Sequence, residues 1–414
     1  MKNKINIIDL FAGCGGLSDG FEQTGKYNTL ACVDWEKPTC ETLIHRLKEK
    51  WEYKNAKDIV LHYDIQQTDK LISGWNNDPV YMSGEGLDKI VNKSKKNVDV
   101  IIGGPPCQAY SIAGRIRDEN GMNDDYRNFL FESYIKIVDH FKPKLFVFEN
   151  VPGLLSAKPG GISIYERIAE SFNQRGYEIV DDLRKYALID CTKFGVPQSR
   201  KRIVIIGVSK THFADIDIQS ALKDFYTSII FQYYSEQKTV ADAIGDLPKL
   251  YPLEKTAVVG GKKYSHDYKY ANIENHIPRM HSKRDMEIFH ILAEDIQTGK
   301  NQYGKTEALK ELYFKFTGKK SNVHKYHVLR WNIPSNTIPA HLYKDGLRHI
   351  HPDPEQKRSI TVREAARLQT FDDDFIFKGS MTDQYKMIGN AVPPKFAKAI
   401  ALSVYDFIAK YINS

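Results

Sequence analysis

Five short apolar runs frame the first half of the chain: INIIDLF (5–11), TLACVD (29–34), VDVIIGG (98–104), KLFVFEN (144–150) and RIVIIGV (202–208). Each is bounded by Gly, Pro, Asp or Asn and is rich in Val, Ile and Phe without polar alternation. That is the pattern of strands buried on both faces. Helical periodicity lies between them. In NFLFESYIKIVDHF (128–141), Leu130, Tyr134, Ile137, Val138 and Phe141 share one face. Strands alternating with helices predict an α/β fold around a doubly wound, mostly parallel sheet. Ligands of such sheets bind beyond the carboxyl ends of the strands, so the residues that follow each run are where chemistry is expected.

After about residue 212 the alternation weakens. Residues 213–355 are richer in Tyr, His and Lys and carry turn signals such as YPLEK, VVGGKK and HPDPE. They read as a second, smaller, irregular domain. A helix follows in SITVREAARLQTF (359–371), and the final segment reads as a helix opened by proline, with Ala, Ile and Val on its buried face. The polar stretch 76–97 reads as a surface loop. With 414 residues, 42% of them hydrophobic, the chain can bury a large core beside a smaller one.

No apolar stretch reaches the roughly 18 residues of a membrane span, and MKNKINIIDLF lacks the pattern of a secretory signal. The expected location is the cytoplasm. Five scattered cysteines with no CxxC pair argue against a disulfide framework and against structural zinc, so no metal is expected. The net charge of +7 is modest, but nine of the thirteen histidines lie between His266 and His351, and Lys and Arg outnumber the acids between Lys255 and Arg348. This segment is either a solvated face or a phosphate-contacting surface.

The first strand ends in DLFAGCGGLSDGF, where Gly13, Gly15 and Gly16 allow a tight turn and close backbone approach to a ligand. The second ends in Asp34 and Trp35, an acid suited to ribose hydroxyls and an aromatic suited to stacking on adenine. An adenosine-containing cofactor is favoured, with NAD, FAD and S-adenosylmethionine all open. The next run ends in GGPPCQAYS. Cys107 follows two stiff prolines at the ligand edge, a better place for a nucleophilic thiolate than for a core cysteine. Glu149 and Asn150 tip the next strand, where an unpaired carboxylate would be costly. Arg200 and Arg202 alternate at the start of the last, so both can face one site.

Taken in order, these motifs resemble the cytosine-C5 DNA methyltransferases. DLFAGCGGLSDGF resembles their cofactor loop, GGPPCQAYS their nucleophile motif, FENVPGL their acid motif and QSRKR their arginine motif. RSITVREAARLQTF and QYKMIGNAVPP resemble their last two, so the likeness spans nearly the whole chain. It implies a Rossmann-like catalytic domain over 1–212, a target-recognition domain over 213–355, a hinge over 356–380 and a return to the catalytic domain over 381–414. It also implies a cofactor, S-adenosyl-L-methionine, held by Phe11, Gly13, Cys14, Gly15, Gly16, Leu17, Asp34, Trp35, Asp64, Ile65, Pro105, Leu130, Asn390 and Ala391.

In the same way Cys107 is the nucleophile toward cytosine C6, Glu149 the acid at N3, Arg202 the ligand of O2 and Arg200 its supporting neighbour. Gln108, Ser111, Arg115, Arg117 and Thr337 are candidate DNA contacts, and Arg363 and Glu364 are expected to pair inside the hinge. The partner implied is double-stranded DNA with a specific short sequence, met by a monomer that serves as the modification half of a bacterial restriction–modification pair. A transfer-RNA cytosine methyltransferase on the same scaffold is the alternative. The chain departs from the family at Gln108-Ala109-Tyr110-Ser111, where Gly-Phe or Pro-Phe is more usual between Gln and Ser. It departs again in FDDDF, which lacks a proline after the first Phe.

Overall fold

The computed structural model describes residues 4–106, 130–158, 163–268 and 273–412. Eight strands form one sheet: β1 (Ile5–Leu10), β2 (Tyr27–Asp34), β3 (Val60–His62), β4 (Val100–Gly103), β5 (Leu145–Asn150), β6 (Tyr177–Ile179), β7 (Leu188–Asp190) and β8 (Lys201–Ser209). Their order is β3-β2-β1-β4-β5-β8-β6, with β7 also on β8. The pairs from β3 through β5 are parallel. β8 runs antiparallel to β5, β6 and β7. Ile7, Ile8, Val100, Ile101, Phe146, Phe148, Ile203 and Val204 are inaccessible to solvent. Full burial of an aliphatic or aromatic side chain contributes about 1.5–3 kcal/mol, which is why the apolar runs become the sheet.

Two helices connect this sheet to the chain's end. α1 (Gly16–Glu22) follows β1, and the terminal helix, numbered α9 below, spans Pro394–Tyr411 and opens on proline at its first turn. They approach closely at Gly20, where a Cβ would lie 2.4 Å from the Ala397 Cβ and 2.6 Å from the Pro394 carbonyl oxygen. Tyr27 on β2 donates its hydroxyl to the Ala401 carbonyl at 2.6 Å, fixing α9 against the sheet. The helix α2 (Lys37–Glu49) follows β2, and α3 (Leu130–Phe141) and α4 (Ile164–Asn173) flank β5 in sequence.

Contacts divide the chain into two units. The first holds residues up to Phe194, Arg200–Glu236 and Ala391–Ser414; the second holds Gly195–Ser199 and Gln237–Asn390. The division thus differs from the expected one at 212/213. Residues 213–236 stay with the sheet because Phe213 and Phe225 pack on Phe407 of α9, at 5.7 and 5.9 Å between ring centroids. Tyr226 also bonds β8, accepting from the Ile206 amide at 3.0 Å and donating to the Val204 carbonyl at 2.9 Å.

The second unit has its own core. In it α5 (Lys283–Gln297) and α6 (Thr306–Thr317) pack Phe289, Leu292 and Leu312 with Val328 and Ile350. Residues 356–380, expected as a hinge, lie inside this unit with α7 (Val362–Leu368). So does α8 (Met381–Asn390), whose Tyr385 donates to the Ile360 carbonyl at 2.7 Å. The return to the first unit starts at Ala391, ten residues later than expected.

The stretch 76–97 is not a loop. It contains most of a hairpin, Trp75–Asp78 with Met82–Gly84, and a helix over Gly86–Ser94. Trp75, just outside the polar stretch, anchors it by stacking on Tyr63 at 3.9 Å. Among the described residues no helix is long and apolar enough to cross a membrane.

Candidate active site

The chain leaves β1 through a turn built on left-handed backbone, with the bulky Phe11 among its residues. Phe11, Gly13 and Gly15 have φ of 58°, 56° and 95°. Asp34, at the carboxyl end of β2, pins this turn: its Oδ2 accepts from the Gly13 amide at 2.9 Å. Its Oδ1 accepts from the Glu36 amide at 2.9 Å and the Thr39 hydroxyl at 2.8 Å. Burial raises the carboxyl above its ordinary range, and these three donors oppose the rise.

Trp35 beside it is 52% exposed, and its carbonyl lies 3.1 Å from His62 Nε2 at the end of β3. Asp64 follows on that neighbouring strand end, half-buried, accepting from the Gln66 amide at 3.0 Å; Ile65 behind it is buried. Nothing lies within 4 Å of where a Gly13 Cβ would project. An open glycine face, two carboxylates and an exposed indole on adjacent strand ends suit an adenosyl group. Cys14 and Leu17 are buried beneath the turn, and burial pushes the Cys14 thiol well above its usual range. Gly16 faces Ala391, whose Cβ lies 3.1 Å from the position of an added methyl.

Further along the same sheet edge, β4 ends at Gly103 and the chain runs on through Gly104, Pro105 and Pro106. A Cβ on Gly104 would lie 2.8 Å from Glu149 Oε2, so glycine lets the acid lie over the strand end. Asn150 donates from Nδ2 to the Pro105 carbonyl at 3.2 Å, and its Oδ1 accepts from the Val151 amide at 2.8 Å. Sequence reading placed Asn150 at this edge without the role it has here, which is to clamp the Pro-Pro segment to β5.

Arg202 Nε is 2.8 Å from Glu149 Oε1, with both side chains nearly buried, at 12% and 11% exposure. The antiparallel register, Val204 opposite Glu149 and Ile203 opposite Asn150, creates this meeting. Arg200 is buried and donates to the Ala391 carbonyl at 3.0 Å. Burial and the nearby Arg202 charge pull its guanidinium down to about 9. The two arginines therefore divide their work: one meets the acid, the other tethers the C-terminal return.

Other candidates fall elsewhere. Leu130 is buried in the first turn of α3. Asn390 ends α8 in the second unit, exposed, while Ala391 belongs to the first. Thr337, in the second unit, donates its hydroxyl to the Ser199 carbonyl at 2.6 Å. Cys107, Gln108, Ser111, Arg115 and Arg117 lie outside the described residues.

The expected Arg363–Glu364 pair does not form. Glu364 takes a bidentate bond from Arg358, 2.7 Å on each arm, and caps α7 together with Thr361. Arg363 instead donates to the carbonyls of Glu274, Asp372 and Phe375. A cavity of about 190 Å³ in the second unit is lined by Trp331, His351, Arg358 and Glu364 among others and holds none of the catalytic, cofactor or DNA-contact candidates. Among the described residues no group of three His, Cys, Asp or Glu is placed to hold a metal ion.

Residues 5–406 match the family described as C-5 cytosine-specific DNA methylase. The type II methyltransferase M.Bpa9945I of Bacillus paralicheniformis is 36% identical, over 97% of this chain and 99% of that protein. The type II methyltransferase M1.HphI of Haemophilus parahaemolyticus is 32% identical, over 97% and 86%. Among solved structures, one from E. coli described as a DNA modification methyltransferase encoded within a prophage aligns with a TM-score of 0.64. Its identity is 24%, over 98% of this chain and all of that one.

Proposed function

Because this chain belongs to the C-5 cytosine-specific DNA methylase family, we propose that it is a type II modification enzyme acting on one cytosine within a short duplex sequence. The observation that carries the reading is the meeting of Glu149 with Arg202 beside the Pro105 strand end. N3 and O2 are neighbours on the cytosine ring, and two adjacent side chains of the right kinds can hold both.

Cytosine C5 is a weak nucleophile. Addition of the Cys107 thiolate to C6 forms a C–S bond and moves the ring's electron pair toward C5 and N3. Glu149 hydrogen-bonds or protonates N3, and Arg202 donates to O2, so the charge that develops is met by groups already in place. S-adenosylmethionine, when bound, supplies the electrophilic methyl group. A base then removes the C5 proton, any proton given to N3 returns to Glu149, the electron pair returns to the C5–C6 bond, and the C–S bond breaks to regenerate the Cys107 thiolate. Asp34, Trp35, Asp64 and the turn from Phe11 to Leu17 hold the adenosyl group, with Ala391 behind the turn. A stacked base cannot offer C6 to a thiolate, so the target must leave the helix before reaction. The second unit, including Thr337, is the part assigned to recognition. The transfer-RNA reading has no observation in its favour.

Bisulfite sequencing of plasmid DNA from cells expressing the protein is the test. Protection of one cytosine in one short motif is expected, and its loss in Cys107→Ser, with cofactor binding retained, tests the covalent step. Uniform conversion by a soluble, cofactor-binding protein would refute the proposal.

A further inference from the structure

The second unit carries a two-stranded ribbon, Pro252–Val259 paired with Lys262–His266, whose base and tip differ sharply in chemistry. The base is built into the unit. Ser265 and His266 are buried, and burial holds the imidazole down at about 4, hence neutral at physiological pH. His266 Nε2 donates to the Gln356 carbonyl at 2.9 Å, Nδ1 lies 2.9 Å from the Ser265 hydroxyl, and the His281 amide donates to that hydroxyl at 3.0 Å.

The tip has no such support. Gly260 and Gly261, with φ of 56° and 78°, make the reversal, and nothing lies within 4 Å of either Cβ position. Both central φ values are positive, as in the tight turns that match strand twist. Val258 and Val259 are 63% and 48% exposed. Their cross-strand partners are Lys263 and Lys262, so each face of the ribbon presents one valine beside one cation. Among the described residues Lys262 and Lys263 make no ion pair.

Water is a poor partner for two adjacent valines, and a rigidly anchored base holds them out in it. Their lysine neighbours select a polyanion. Lys262–Tyr264, the part of that strand outside the buried base, spans about 7 Å at the usual rise of a strand, comparable with the roughly 8.5 Å depth of the major groove, which admits a two-stranded ribbon. A strand end carrying apolar tips and flanking cations fits that groove: cations toward phosphates, methyl groups toward the base edges. The one apolar group there is the C5-methyl of thymine. We propose that the Val258–Lys263 tip enters the major groove and reads thymine methyl groups in the recognition sequence. This rests on duplex DNA being the substrate.

The test uses the full chain and the site found by bisulfite sequencing, in duplexes with uracil replacing thymine one position at a time. With wild-type protein, kcat/KM should fall about fourfold at one or two thymine positions, the worth of one buried methyl. In V258S/V259S the drop on the normal duplex should appear and the thymine–uracil difference should vanish. K262A/K263A should lower the slope of log binding constant against log salt by about 2. Wild-type activity on the normal duplex is the control for the enzyme assignment itself. The ribbon proposal is overturned if V258S/V259S keeps the wild-type thymine–uracil response, or if the recognition sequence has no A·T pair. It is also overturned if that variant's only change is lost self-association by sedimentation, which would make the tip a contact between copies.

Discussion

Replacing Asp9 with Asn should stabilise the first unit by an amount that grows as pH rises. Asp9 sits inside β1, inaccessible to solvent, with one oxygen taking the Ser18 hydroxyl bond. Its Oδ1 has no hydrogen-bond partner among the described residues. Burial pushes the carboxyl up from 3.8 to about 7, and the neighbouring Asp34 charge adds to the rise. A carboxyl whose folded-state value is raised binds its proton more tightly folded than unfolded. Below about pH 4 both states are protonated and there is no penalty. Between about 4 and 7 the unfolded state ionises first and stability falls; above about 7 both are ionised and the loss is complete. At 1.36 kcal/mol per pH unit, the full rise corresponds to about 4 kcal/mol. About 2 kcal/mol is already lost near pH 5 and nearly all of it near pH 8. Asn is the same size and does not titrate. Any fixed cost of seating its amide is equal at both pH values, so it cancels from the comparison. Urea unfolding followed by the fluorescence of Trp35, Trp51 and Trp75, all in the first unit, measures the gap between D9N and wild type. The gap should widen by about 2–3 kcal/mol from pH 5 to pH 8. An identical gap at the two values refutes the reasoning.

Removing the acid in E149A should lower kcat by at least about 100-fold, the usual worth of a positioned proton donor, in single-turnover methylation with cofactor affinity unchanged. A large fall in cofactor affinity instead would move Glu149 out of the chemistry. G16A places a methyl 2.4 Å from the Val392 carbonyl oxygen, and overpacking of this kind costs about 1–3 kcal/mol. Calorimetric titration should show S-adenosylmethionine binding weakened about fivefold or more. E364A leaves the Arg358 guanidinium buried without its carboxylate and should cost about 3–5 kcal/mol. Urea unfolding followed through Trp331, in the second unit, measures it, and a loss under 1 kcal/mol would contradict the buried pair.

The elements that sequence made legible are those whose signal is local. Strands buried on both faces are apolar along most of their length, so β1, β2, β4, β5 and β8 were visible as runs. Asp34 was placed at the second strand's end because the apolar run TLACVD stops there, but its grip on the Gly13 amide depends on the turn's path and was not legible. The Arg363–Glu364 pair failed for a reason that geometry supplies: consecutive residues on a helix do not face each other. Arg358, six residues earlier and outside α7, does face the carboxylate that caps it.

The deepest gap concerns strand direction. In an all-parallel sheet the start of a strand lies at the opposite edge from the ligand. Arg202, at the start of β8, would then sit a strand's length from Glu149. It reaches the acid because β8 runs antiparallel to β5, which puts its first residues at the carboxyl edge of the other strands. Nothing in RIVIIGV states that direction, since a fully buried strand reads the same whichever way its neighbour runs. The order of the motifs along the chain carried the pairing of these two residues, and the reversal of one strand is what makes it physically possible.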